Sequence, residues 1–331
     1  MLSALKRISQ KVTGHVWSTL PVLRPNRAAW IEDRSRWVTF RPVNERGELG
    51  TMKGLFTRPP GAKELVVIVP GLGADAESAY CQELSADLYQ QSRASLRLNL
   101  SFFSNEPPDF RRDSFDRDLT ACLEASEFED FDTIVLLGFS LGGHAVLKAS
   151  TILSTHRISA LVLINTPIDL SAIQKHMDAP AQRIYRSFFL SLIRSQFQEF
   201  ASEGLCLPYS DNLDDIRTLR GFDEALMALR EDYRDLDARY QELSARSTLT
   251  ELSIPCLFLA ATNDPIIPFE TLSVVQSSKY PSIDFRTIPG GHIYGPRSAS
   301  IGELEDASLI EEIIHWVDSV AMKASQTEES P

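Results

Sequence analysis

Six short runs rich in aliphatic and β-branched residues punctuate the chain: LVVIVP (65–70), LRLNL (96–100), TIVLLGF (133–139), ALVLIN (160–165), PCLFLA (255–260) and IDFRTI (283–288). Longer stretches of helical periodicity separate them. Four of the six are apolar throughout. A strand with one wet face alternates polar and apolar residues, whereas a strand covered on both faces reads as an unbroken apolar run. Strand–helix alternation with such runs specifies an α/β fold, a mostly parallel central sheet with helices on both faces. Two earlier runs, around Trp37–Phe40 and Met52–Phe56, flank the turn-like NERGELG and read as a hairpin on the sheet edge.

Composition narrows the partners more than the fold. With 331 residues, 43% hydrophobic and 24% charged, the chain can bury a sizeable core, so neither disorder nor a disulfide scaffold fits. A net charge of −12 repels phosphates and excludes nucleic acid as a partner. The four cysteines (Cys81, Cys122, Cys206, Cys256) are scattered without ligand-like spacing, which fits a reducing, cytoplasmic compartment and no metal site. Lys6, Arg7 and Lys11 interrupt the opening segment, so it does not read as a secretory leader. No run approaches the roughly 18 apolar residues of a membrane span. Leu5, Ile8 and Val12 lie opposite those basic residues at helical spacing, so residues 2–12 fit either a surface helix packed on the domain or a peripheral membrane contact.

Between the runs at 160–165 and 255–260 lies more chain than a crossover needs, which is about a dozen residues. It carries SFFLSLIRSQFQEF and FDEALMALREDYRDLDARYQELSA, helical in period and rich in charge. Residues 168–250 are therefore expected to form a helical cap over the C-terminal edge of the sheet, with ordinary crossover helices as the other reading. The full organisation expected is an N-terminal arm (1–36), a domain over 37–320 containing that cap, and a disordered polar tail (321–331).

The chemistry concentrates at sheet-edge turns. Gly138-Phe139-Ser140-Leu141-Gly142 follows one buried run and opens a helix. A serine on such a sharp strand-to-helix turn is lifted clear of the sheet, and glycines on either side remove the β-carbons that would clash. The Leu141 N–H, at the helix N-terminus, can face a developing oxyanion. A neutral serine needs a base. Of six histidines, His292 alone sits in a Gly/Pro-rich loop after the last run, PGGHIYGP, where a parallel sheet delivers loops to its C-terminal edge. His144, four residues beyond Ser140 on the same helix, is better placed to pack.

An acid that fixes the histidine tautomer should come between serine and histidine in the chain. Asp264 in ATNDPIIP follows the run at 255–260, and Pro265 biases it to extended backbone. Turn capping is the competing use of Asn-Asp-Pro, and Asp169 in NTPIDL is the alternative acid. A second oxyanion donor is expected from PGLGADAES (70–78), with the Leu72 N–H best placed; the same loop lacks the Gly-Lys-Ser/Thr end of a phosphate loop. No organic cofactor is implied. Phe102–Phe103 read as acyl-pocket lining or as core.

Several segments together, VPGLGADAESAYCQELSADL, GFSLGGHAVLK, TLRGFDEAL, IPCLFLAATNDPIIP and PGGHIYG, resemble the YheT-like α/β hydrolases, also called embryogenesis-associated hydrolases. GHVWSTLPVLRP is similar to that family's N-terminal arm, and the resemblance covers roughly residues 14–318. It implies the α/β-hydrolase fold and an esterase acting on carboxylic esters, short-acyl or lipid-like, through Ser140, Asp264 and His292. Acyl transfer, thioester hydrolysis or a non-catalytic scaffold are the alternatives on the same fold. The chain departs from the family at Pro70-Gly71, where His-Gly is usual, in NLSFFSNEPPDFRRDSF, which replaces an Arg-Gly-rich loop, and in the diverged, charged stretch after FDEAL.

Overall fold

In the computed structural model the apolar runs become one eight-stranded sheet. The residues described are 14–16, 18, 28–42, 51–99, 116–153, 157–202, 213–227, 235–276, 279–293 and 308–328. The strands are β1 (Ser35–Phe40), β2 (Met52–Thr57), β3 (Glu64–Val69), β4 (Ala94–Asn99), β5 (Thr133–Phe139), β6 (Ile158–Ile164), β7 (Cys256–Ala261) and β8 (Ile283–Ile288). Their spatial order is β1-β2-β4-β3-β5-β6-β7-β8. Only the β1–β2 and β2–β4 pairs are antiparallel, so the expected hairpin does occupy an edge. Its turn, 43–50, lies outside the described residues, as do residues 2–12 and Phe102–Phe103.

Side-chain alternation splits the core into two layers. Leu65, Val67 and Val69 of β3, with Leu136, Leu161, Leu163 and Phe258, face one side. There they meet Leu119 and Cys122 of α2 (Asp116–Leu123) and Val146 and Leu147 of α3 (Leu141–Ala149). Val66, Ile68, Val135, Leu137, Val162 and Leu257 face the other side. Cys81, Leu84 and Leu88 of α1 (Ala79–Gln90) cover them, with Ile313, Trp316 and Val317 of a long terminal helix. Each such side chain taken fully out of water contributes about 1.5–3 kcal/mol, which is why the central strands tolerate no polar face.

Five helices lie between β6 and β7 among the described residues: α4 (Leu170–Asp178), α5 (Arg183–Ser202), α6 (Leu219–Met227), α7 (Leu236–Leu243) and α8 (Thr248–Glu251). The terminal helix, α9, spans Leu309–Glu328. This corrects the tail expected from 321: the helix continues because no glycine or proline interrupts it before Pro331, and Ala321, Met322 and Lys323 are good helix formers. No helix among the described residues is long and apolar enough to cross a membrane.

Register places the chemistry. Val69 pairs with Gly138, Phe139 with Ile164, and Ala261 with Ile288. The loops after β3, β5, β7 and β8 therefore leave the sheet at one common edge, its C-terminal one, where open α/β sheets bind their ligands.

Candidate active site

Ser140 stands between β5 and α3 with φ 50° and ψ −122°. A non-glycine residue at positive φ costs about 1–3 kcal/mol and persists only where its surroundings hold it. Here its N–H donates to the Ile164 carbonyl (2.9 Å), and its own carbonyl starts the helix by accepting from His144 N–H (3.1 Å). The flanking glycines are sterically required. A β-carbon on Gly142 would lie 2.2 Å from the Pro70 carbonyl oxygen, and one on Gly138 would lie 2.4 Å from Gly143 Cα.

The serine hydroxyl does not cap its own helix. Instead Ser140 Oγ lies 2.9 Å from His292 Nε2, and His292 Nδ1 lies 2.8 Å from Asp264 Oδ2. The Asp264 side chain is 1% exposed and that of His292 10%, so the pair is almost dry. The carboxylate divides its work: Oδ1 accepts from the N–H groups of Ile266 (2.7 Å) and Ile267 (3.0 Å), leaving Oδ2 for the ring. Turn capping and histidine contact, weighed above as competing uses of Asn-Asp-Pro, are made by the two oxygens of one side chain.

The other candidates are engaged elsewhere. Asp169 accepts from Ala172 N–H as the N-cap of α4. His144 is buried between the carbonyls of Pro167 and Leu243, each 2.9 Å from a ring nitrogen, and burial lowers its pKa against those two contacts. His176 meets the Pro265 carbonyl, and His315 is exposed on α9. His156 and Cys206 lie outside the described residues. No group of three or more metal-ligating side chains comes together among the described residues.

The loop after β3 closes over the serine. A β-carbon on Gly71 would sit 3.8 Å from Ser140 Oγ. The Gly71 N–H is already given to Tyr80 Oη (3.1 Å), so the next N–H along, that of Leu72, is the loop's candidate donor. Leu141 is the first residue of α3, where an N–H has no carbonyl one turn back within the helix. Two polar residues brace this loop: Asn99 Oδ1 accepts from Ala76 N–H (2.7 Å), and the fully buried Arg97 donates to the Ala76 carbonyl (2.9 Å) and is itself held by Glu32 (2.6 Å).

Two residues that the sequence did not single out hold the histidine's main chain. Asn165, at φ 49° just after β6, donates from Nδ2 to the carbonyls of Gly291 (3.0 Å) and His292 (2.7 Å), while its Oδ1 accepts from Ala261 N–H. Ser18 Oγ accepts from His292 N–H at 2.9 Å. The left-handed conformation that asparagine tolerates was the one available signal for Asn165; for Ser18 there was none.

A model of the Alpha/beta hydrolase family matches residues 66–299, a span holding Ser140, Asp264, His292 and the braced loop. The chain belongs to the alpha/beta hydrolase family. It is similar to the Escherichia coli K12 protein named "Putative esterase YheT", with 28% identity over 162 residues, 47% of each chain. The match thus spans about half the length of that curated relative. Solved structures with the same fold include a Pyrococcus furiosus esterase (TM-score 0.54, 12% identity, 89% of this chain and 93% of that one). Another is alpha/beta hydrolase domain-containing protein 10 from mouse (TM-score 0.52, 16% identity, 87% of this chain and 100% of that one).

Proposed function

We propose that this chain is a serine hydrolase of carboxylic esters. The observation that carries the reading is the unbroken line of contacts from Asp264 Oδ2 through both nitrogens of His292 to the hydroxyl of a backbone-strained serine. In the proposed reaction His292 Nε2 takes the Ser140 proton as Oγ attacks the acyl carbonyl. The N–H groups of Leu72 and Leu141 receive the negative charge of the tetrahedral oxygen. His292 then protonates the departing alcohol, and a water activated by the same ring cleaves the acyl-enzyme. Asp264 keeps the ring in the tautomer that can accept at Nε2 and stabilises the imidazolium.

The helical insertion acts as a cap in this reading. Its α5 crowds the oxyanion loop, since a β-carbon on Gly73 would lie 2.4 Å from Leu192 Cδ1, and His176 of α4 touches the loop of the acid. With Tyr185 and Phe189 also on α5, the wall it offers is mainly apolar, which suits an acyl chain. The esterase names carried by similar proteins agree with this substrate class. The test is hydrolysis of p-nitrophenyl esters of two to twelve carbons by the full chain and by Ser140→Ala. Turnover in the wild type that Ser140→Ala loses supports the proposal; equal turnover in both defeats it.

A further inference from the structure

The arm before β1 reaches the candidate centre, and nothing in the proposed mechanism uses it. Gly14, His15, Val16 and Ser18 are helical; Gly14 lies against the loops of both Asp264 and His292, and Ser18 against that of His292. A β-carbon on Gly14 would lie 1.9 Å from the Asn263 carbonyl oxygen, so the arm touches the peptide immediately before the acid with no room for a side chain. A β-carbon on Gly291 would lie 2.3 Å from the Gly14 carbonyl oxygen and 2.5 Å from Ser18 Oγ, so the residue immediately before the histidine is equally crowded. Ser18 is 7% exposed. Its hydroxyl donates to the Gly14 carbonyl (2.8 Å), which leaves a lone pair aimed at the His292 N–H (2.9 Å). On its other side the arm meets the insertion: the His15 ring stacks on Tyr185 of α5 at 5.6 Å, and His15 Nδ1 lies 2.7 Å from Tyr185 Oη.

We propose that this arm is a strap that positions the general base, with Ser18 as its positioning residue and His15–Tyr185 as its tie to the cap. Every polar main-chain and ring atom of His292 is then held from a different part of the chain. The N–H is held by Ser18, the carbonyl by Asn165, Nδ1 by Asp264, and Nε2 faces Ser140. The catalytic reason is distance. The loop of His292 is rich in glycine, so its backbone is soft, and proton transfer from serine needs the ring within hydrogen-bond reach. A misplacement of the order of 1 Å at such a site costs on the order of 100-fold. A strap that wedges the acid loop and the histidine loop together removes that freedom without touching substrate, so its loss should appear in kcat and leave KM in place.

This inference rests on the triad reading, and the experiment separates the two. kcat and KM for a p-nitrophenyl ester are measured on the full chain, with active sites counted by fluorophosphonate titration, for wild type, Ser140→Ala, Ser18→Ala and Gly14→Ala. Thermal unfolding is followed in parallel. The strap predicts that Ser18→Ala loses about tenfold or more in kcat per titrated site, keeps KM within twofold and unfolds within a few degrees of wild type. Gly14→Ala, whose new methyl must lift the arm off Asn263, should show the same split. Wild-type kcat per site in both arm variants would overturn the strap while leaving the triad intact. A loss that appears only as fewer titratable sites and a lowered unfolding temperature would assign the arm to folding and overturn it too. Equal turnover by Ser140→Ala, or no reaction of the wild type with ester or fluorophosphonate, would bring down both.

Discussion

The two oxygens of Asp264 hold different partners, and Asp264→Asn and Asp264→Ala should therefore fail in different ways. In Asp264→Asn the amide oxygen can keep the N–H groups of Ile266 and Ile267, because turning the amide over would aim two donors at two donors. The amide nitrogen then faces His292 Nδ1, now donor to ring. That contact selects the tautomer with hydrogen on Nε2, which points a donor at Ser140 Oγ and cannot take its proton. Loss of the correct tautomer in such a triad costs about 10⁴ in rate, equivalent to about 5–6 kcal/mol at 1.36 kcal/mol per tenfold. Folding should change by less than about 1 kcal/mol. Asp264→Ala removes both contacts and strands two N–H groups of residues that are 8% and 2% exposed. At about 1–3 kcal/mol for each buried unpaired group, it should lose about 2–6 kcal/mol of stability as well as activity. Urea unfolding with ester kinetics on both variants decides the matter. An Asn variant within tenfold of wild type, or equal destabilisation by Asn and Ala, would refute the division of labour.

Two further outcomes follow from the packing. Gly142→Ala drives a methyl onto the carbonyl oxygens of Val69 and Pro70, 2.3 and 2.2 Å away, so α3 and the loop after β3 must separate; overpacking of this kind costs about 1–3 kcal/mol, and urea midpoints should fall along with ester turnover. In the insertion, Asp223 of α6 accepts from Tyr240 Oη of α7, and desolvation pushes its pKa up to about 6 from 3.8. The folded form thus holds this proton more tightly than the unfolded chain, so the contribution is complete below about pH 3.8 and is lost as pH rises through about 6. A shift of that size is worth at most about 3 kcal/mol, and about 1–2 after solvent screening of a partly open site. Asp223→Asn should therefore stabilise the protein near pH 7 and leave it little changed near pH 4. Unfolding curves at the two pH values check the sign, which would be reversed if the charged carboxylate were the favoured form.

What the sequence made legible is what local pattern determines. β5 coincides with its apolar run, because a strand buried between neighbours can neither gain nor lose a residue without exposing it; β8 also coincides with its run, although it is an edge strand and mostly only partly buried. β6 starts at Ile158, two residues before its run, where Ser159 is only partly buried and the apolar signal fades. Ser140 was readable because a strand-to-helix turn at positive φ needs glycine on both sides within five residues. Asp264 was readable only as a choice between two uses, since the sequence cannot say that one carboxylate serves both. The contacts of Ser18 and Asn165 with His292 were not readable: the two residues lie 274 and 127 positions before it and meet it only through tertiary folding. The end of α9 was misjudged from polarity, although a helix with one apolar face tolerates a polar terminal turn.

Covalent capture tests whether His292 activates Ser140. Wild type, Ser140→Ala and His292→Ala are incubated with a fluorophosphonate, which reacts with activated serines, and the labelled peptide is identified by mass spectrometry. Expected are one adduct on Ser140 in the wild type, none in Ser140→Ala, and labelling slowed by at least about 10³ in His292→Ala, within the range that acid–base catalysis supplies. Labelling that survives Ser140→Ala, or proceeds at the wild-type rate without His292, would contradict it.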